Sequence, residues 1–325
     1  MIQNNSLVEN IFDTASLVKK STRDGFGSGV VELGRNNAQI VVLSADLKES
    51  TRAEVFEKEF KDRYIELGVA EQNMATVASG LAAVGKIPFI TSYAAFSPGR
   101  NYEQIRTTIA LNNQNVKVCG MHAGLSVGPD GATHQMLEDI AMMRALPNMI
   151  VVSPVDAVQA HKAVVAAGLT KKPVYLRFGR SDVPVFTSEQ TPFEIGKAYV
   201  LWKSAQSEVV LYATGSLAYQ ALLAARSLES DGVGSTVVMV PTITPLDEQT
   251  ILETARANRR AITIEEHQIT GGLGSAVCEL LSEKHPLRVK RLGVANQFGQ
   301  SGTPDELFEH YGLSVSHIVT ACKEK

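Results

Sequence analysis

From Ile40 to Phe178, short apolar runs rich in valine and isoleucine alternate with longer stretches of helical period. Parallel strands can be joined only by a crossover long enough to hold a helix, so this alternation is the mark of βαβ units. Strands are predicted over Ile40–Ser44, Tyr64–Leu67, Pro88–Ser92, Val116–Gly120, Met149–Ser153 and Val174–Phe178. Several are apolar at consecutive positions, as expected of strands covered on both faces. Helices are predicted over Gly25–Arg35, Glu71–Val84, Tyr102–Leu111, Gln135–Arg144 and Ala157–Leu169. Residues 179–198 are polar, carry prolines and lack a helical period, so they read as a crossing segment. A second series then gives strands at Glu208–Ala213, Thr236–Pro241, Ala261–Glu265 and Val289–Gly293. Its helices are predicted near Ser216–Leu228, Leu246–Asn258, Gly274–Lys284 and Pro304–Tyr311. The fold class is therefore α/β, with two doubly wound domains over residues 1–189 and 190–325.

Charge excludes several classes of function. Lysine and arginine number 31 against 34 acidic residues, a net charge of −3, so there is no basic footprint for nucleic acid or an anionic membrane surface. No window approaches the ~18 apolar residues of a membrane span. The opening Met1-Ile2-Gln3-Asn4-Asn5-Ser6 has no positive region followed by an apolar stretch, which argues against a secretory signal. Cys119, Cys278 and Cys322 are scattered and odd in number, which suits neither a disulfide framework nor a CxxC zinc site. The expectation is a soluble, reduced, cytoplasmic protein.

The segment Gly68-Val69-Ala70-Glu71-Gln72-Asn73-Met74 joins a strand to a helix. Along that helix Met74, Val77, Ala78, Leu81 and Ala82 define one apolar face, and Glu71 falls on it. A carboxylate aimed into apolar surroundings is costly when ionised. The alternative is a first-turn glutamate that faces water and is stabilised by the helix dipole. A second segment, Met121 to Gln135, follows a strand and places His122, Asp130 and His134 on a glycine-rich loop, where open α/β sheets bind ligands. His122 and His134 lack the short helical spacing of a metal pair, so no metal site is expected; an inert surface loop is the other reading. Arg177 and Arg180 end a strand and suit an anionic ligand. Phe89, Tyr93, Phe96 and Tyr102 crowd one stretch as core or stacking platform, and Gly271-Gly272-Leu273-Gly274 opens a helix as a phosphate turn or a tight packing turn.

Taken together, these fragments resemble the C-terminal half of a transketolase. The resemblance covers about Ser21 to Cys322 and rests on Ser44-Ala45-Asp46-Leu47, Gly68 to Met74, Gly128 to Gln135 and Phe298 to Pro304. It implies a thiamine-pyrimidine-binding domain followed by a Rossmann-like C-terminal domain. The family's other half holds the diphosphate and its magnesium on a GDG motif, which is missing here. The resemblance therefore implies one subunit of a split enzyme: thiamine diphosphate as cofactor, magnesium held by a partner N-terminal subunit, and a dimer of heterodimers.

By the same resemblance Glu71 is the glutamate that hydrogen-bonds the cofactor's pyrimidine nitrogen through a protonated carboxyl. Phe96, with Tyr93 as second choice, packs on the pyrimidine, and Asp46 joins the cofactor contacts. Asp130 and His134 bind sugar hydroxyls near the reacting carbons and complete the catalytic set with Glu71. His122, Arg180, Ser50 and Arg23 meet the phosphate, or a similar anion such as a sulfonate. The implied activity is transfer of a two-carbon ketol unit from a ketose phosphate to an aldose acceptor. The alternatives are a 1-deoxyxylulose-5-phosphate synthase-like activity, a 2-oxoacid dehydrogenase beta subunit, or a non-catalytic assembly subunit.

Overall fold

The computed structural model describes residues 7–324, so the opening segment read above for targeting lies outside the described residues. The first half of the chain contains strands β1 (Lys19–Lys20), β2 (Ile40–Ser44), β3 (Tyr64–Glu66), β4 (Ile87–Tyr93), β5 (Lys117–Met121), β6 (Ile150–Val152), β7 (Val174–Arg177) and β8 (Val183–Pro184). Its helices are α1 (Thr22–Asn36), α2 (Lys48–Thr51), α3 (Glu54–Glu59), α4 (Glu71–Ala83), α5 (Tyr102–Gln104), α6 (Asp139–Arg144) and α7 (Ala157–Leu169). The second half adds β9 (Tyr199–Lys203), β10 (Val209–Ala213), β11 (Ser235–Met239), β12 (Thr242–Thr244), β13 (Arg260–Gln268) and β14 (Val289–Val294). With them come α8 (Leu217–Ser230), α9 (Glu248–Arg256), α10 (Leu273–Lys284), α11 (Pro304–His310) and α12 (Val315–Lys323).

A seven-stranded sheet runs β12-β6-β7-β5-β4-β2-β3, and a five-stranded sheet runs β14-β13-β10-β11-β9. All pairings among β2 to β7 are parallel, and β12 and β9 are antiparallel edges. The consecutive apolar residues of β2 are used on both faces. Ile40 and Val42 pack with Phe26, Val30 and Val164, while Val41 and Leu43 pack with Met74, Ala78 and Ile90. Helices α1 and α7 lie close together because α1 presents glycines there: a Cβ on Gly25 would sit 2.2 Å from the Ala157 carbonyl oxygen.

The two sheets are not separated cleanly along the chain. Strand β12 leaves the second half to pair with β6, Thr242 opposite Val152. In the other direction Leu7, Ile11 and Leu17 join the core around Leu217, Tyr219 and Trp202, and the Tyr219 hydroxyl donates to the Ile11 carbonyl at 2.8 Å.

Several elements differ from the sequence expectation. The predicted helix over Gln135–Arg144 starts only at Asp139, because Gln135 is buried and its side chain donates to the Leu125 and Gln300 carbonyls. The stretch predicted as one helix from Tyr102 is α-helical for one turn and π-helical over Ile105–Ala110. The short α2 and α3, the edge strands β9 and β12 and the C-terminal α12 were not expected. Among the described residues no helix is long and apolar enough to cross a membrane.

Candidate active site

The chemistry-bearing residues gather at the carboxyl ends of the parallel strands, where an open α/β sheet leaves its crevice. Asp46 and Ser50 follow β2, Glu71 follows β3, and Tyr93 closes β4 with Phe96 and Arg100 just beyond it. His122, Asp130 and His134 follow β5, Arg180 follows β7, and Arg23 stands in the first turn of α1.

Glu71 is the first residue of α4 and is 1% exposed. Its carboxylate accepts from Arg100 Nη1 at 2.7 Å, and its carbonyl accepts from Asn101 Nδ2 at 3.0 Å. The expected face is buried at Met74 and Ala78, but the carboxylate is not left among apolar groups: a cation reaches it from the loop after β4. That cation is planar and lies over the Phe96 ring at 4.7 Å. Phe96 in turn stacks with Tyr93, centroids 5.9 Å apart and planes 15° from parallel. The loop leading into α4 is fixed by Glu66, whose Oε1 accepts from the backbone N–H groups of Asp46, Leu67 and Gly68 at 2.8, 3.0 and 2.9 Å. Asp46 is exposed and is joined to the Glu71 side of the crevice through Glu66.

The other side of the crevice is basic. Arg23 Nη1 donates to the Ser50 carbonyl and Nη2 to the Arg180 carbonyl, each at 2.6 Å, so three of the expected anion contacts are physically tied. Arg180 Nη1 donates to the Val127 carbonyl at 2.8 Å and to Asp130 Oδ1 at 3.1 Å. His122 adopts φ +55°, is 2% exposed and stacks on Tyr93 with centroids 3.8 Å apart. Burial first, then the charges of Arg23 and Arg180, hold its imidazole neutral with a pKa down to about 2. Its Nδ1 is buried without a hydrogen-bond partner. His134 meets both Tyr93 and Phe96 edge-on, at 6.1 and 5.7 Å, and Thr133 Oγ1 lies 2.9 Å from its Nδ1. The two aromatic rings thus connect the Glu71 side to the arginine side.

One expectation is corrected and one open choice is narrowed. Arg177 is no free ligand for an anion: it is 5% exposed, and its Nε donates to Asp139 Oδ2 at 2.7 Å while Tyr175 donates to the same oxygen. Of the two readings of the glycine turn at 271–274, the structure agrees with the packing turn and not the phosphate turn. The N–H groups of Leu273 and Gly274 already bind the Glu265 carboxylate of the same chain, at 2.7 and 2.8 Å. Among the described residues no group of three or more histidine, cysteine, aspartate or glutamate side chains is placed to hold a metal ion.

Arg100, Glu66 and Asn101 were missed from the sequence. Only Arg100 left a local signal, a cation four positions after an aromatic residue, and that signal names no partner.

Two family models match the chain. The transketolase pyrimidine-binding domain spans residues 18–185, and the transketolase C-terminal domain spans residues 196–318. The chain belongs to the transketolase family. A Methanocaldococcus jannaschii protein, named provisionally as a transketolase C-terminal section, is 40% identical over 95% of this chain and 97% of its own length. A 6-deoxy-6-sulfo-D-fructose transketolase subunit from Clostridium sp. strain MSTE9 is 38% identical over 93% of each chain. A solved split-gene transketolase, described as an inactive β4 tetramer, superposes with a TM-score of 0.86 and 44% identity, over 93% of this chain and 97% of that one. Against full-length mouse transketolase the chain spans about half the relative's length. The crevice described above therefore lies in the pyrimidine-binding domain of a transketolase.

Proposed function

We propose that this chain is the pyrimidine-binding subunit of a two-chain transketolase. In this reading it transfers a two-carbon ketol unit from a ketose phosphate to an aldose acceptor that ends in an anion. The observation that carries the reading is one cluster with a buried carboxylate at one side and two arginines tied together at the other, bridged by Tyr93 and Phe96.

The residues present fit the pyrimidine of thiamine diphosphate. Arg100 shows that a planar donor can rest against Phe96 while bonding to Glu71, and a planar aminopyrimidine makes the same demands. Bound, thiamine diphosphate supplies an electron sink for carbon–carbon bond cleavage. Glu71 would hold a proton toward a pyrimidine nitrogen, and Phe96 would exclude water from the ring face. Asp130 and His134 would bind the sugar hydroxyls. His122 and Arg180 would hold the terminal anion, with Arg23 and Ser50 completing that end. A guanidinium donates two parallel bonds to a phosphate or a sulfonate, so both anions suit Arg180. The relative named for a sulfofructose makes the sulfonate a substrate worth testing beside the phosphate.

In this reading the diphosphate and its magnesium belong to a separate N-terminal subunit, and two-fold closure of two such pairs gives a dimer of heterodimers. The test is reconstitution with a diphosphate-binding N-terminal subunit, thiamine diphosphate and magnesium. The expected result is ketol transfer from ketose phosphates by a four-chain complex and none by this chain alone. Turnover by the isolated chain would overturn the two-subunit reading, and a complex that only decarboxylates 2-oxoacids would overturn the activity.

A further inference from the structure

The loop from His122 to Gln135 carries three of the residues assigned to the substrate, and it is clasped from both sheets. From the first, Ala123 N–H donates to the Phe178 carbonyl at 3.0 Å, and the Ser181 hydroxyl donates to the Ser126 carbonyl at 2.7 Å. From the second comes Glu266 of β13, which is 3% exposed. Its Oε2 accepts from Ser126 N–H at 3.0 Å, and its Oε1 accepts from the Ser216 hydroxyl at 3.1 Å. Its backbone carbonyl accepts from Arg177 Nη2 at 3.0 Å. The loop is shaped to admit this carboxylate: Gly124 has φ +88°, and a Cβ there would lie 2.3 Å from Glu266 Oε2. The peptide gripped at Ser126 continues directly into the Val127 carbonyl and Asp130, the two groups that hold Arg180.

A carboxylate this deeply buried is costly, so the bonds it makes must matter to the fold, to the site or to both. Among the residues assigned to the substrate it touches none. We propose that Glu266 is a positioning residue by which the C-terminal domain sets substrate recognition: it fixes the Ser126 peptide and through it the turn on which Arg180 is aimed. The inference rests on the proposed function for what the loop binds.

Two measurements test it. In the isolated chain, Glu266→Ala should speed amide exchange across residues 123–130 at least tenfold while leaving residues 209–213 unchanged. Ser216→Ala, which removes one partner and keeps the carboxylate, should do so more mildly and serves if the first variant does not fold. Unchanged exchange in the loop would overturn the proposal whether or not the functional reading holds. In the reconstituted complex, Glu266→Ala should raise KM for a phosphorylated ketose at least fivefold, with kcat and the Kd for thiamine diphosphate within about twofold. Glu266→Gln should restore KM, because its carbonyl can accept from Ser126 N–H and its amide can donate to Ser216. An equal loss in both variants, or a parallel loss of cofactor affinity, would reduce Glu266 to a structural prop and overturn the assignment. The wild-type complex's own ketol transfer reports separately on the functional reading.

Discussion

Arg100 donates to the Glu71 carboxylate at 2.7 Å while its guanidinium rests on the Phe96 ring, joining residues 29 positions apart into one planar stack. Glu71 is 1% exposed and Arg100 about half exposed, so the two ends of the pair respond differently to substitution. Glu71→Gln keeps an oxygen for Arg100 to bond and removes the carboxyl proton required by the proposed chemistry. Turnover of the reconstituted complex should fall on the order of 10²–10⁴-fold, with little change in the unfolding midpoint of the isolated chain. Arg100→Ala leaves a buried carboxylate without its partner and should cost the isolated chain about 1–3 kcal/mol in a urea titration. Near-normal turnover of Glu71→Gln would remove the carboxyl from the chemistry.

The sheets were legible because their strands are locally self-declaring: Ile40 to Leu43 and Val209 to Ala213 are apolar on consecutive positions and buried on both faces. β12 was not, since Thr242–Thr244 is a three-residue strand between Pro241 and Pro245 whose paired strand, β6, lies in the other half of the chain. The same limit applies to the site. Glu71 and the His122 loop announce themselves through period and glycines. The partners that decide what Glu71, Arg177 and the His122 loop do are Arg100, Asp139 and Glu266, which arrive from 29, 38 and 140 residues away. Arg177 shows the cost of reading an arginine locally: its sequence context suits an anion, but a buried carboxylate from α6 already occupies it.

Arg180 and Asp130 pair across the mouth of the crevice with side chains about a third exposed, 37% and 33%, so the pair itself adds little stability. In the proposed reading the guanidinium's larger role is to hold a terminal anion. Arg180→Ala should raise KM for phosphorylated ketoses at least tenfold, roughly the loss of one charge-assisted contact, with a much smaller change in kcat. KM for an unphosphorylated ketose and cofactor affinity should hardly move. The ratio of the two KM values is the decisive measurement. An unchanged ratio would leave Arg180 with only its loop-anchoring bonds to Val127 and Asp130.

At the opposite end of the same sheet Lys117 begins β5 with a fully buried side chain. Its Nζ donates to Asn115 Oδ1 and to the carbonyls of Thr170 and Lys172, at 2.5, 3.0 and 2.7 Å, tying the turn after α7 to the strand. Lys117→Met preserves most of the volume and leaves three acceptors without their donor. A loss of about 2–4 kcal/mol is expected, read as a shifted urea midpoint at unchanged slope. The Glu71–Arg100 stack lies at the far ends of the strands, so cofactor affinity of the reconstituted complex should be unaffected. A midpoint close to wild type would mean that the turn finds water in place of the amine.

His122 gives the fold a specific sensitivity to acid. Its ring is 2% exposed against Tyr93, and burial together with Arg23 and Arg180 holds its pKa down to about 2 in the native state. In the unfolded chain a histidine titrates near ~6.5. Between those values the unfolded state binds a proton that the native state refuses, so stability falls as pH drops. The contribution is complete above about pH 6.5, and its loss below that reaches up to ~1.4 kcal/mol per pH unit. His122→Asn should flatten that part of the profile when urea midpoints are compared between about pH 4.5 and pH 7.5. Identical slopes for wild type and His122→Asn would place the acid sensitivity in other groups and not in this buried imidazole.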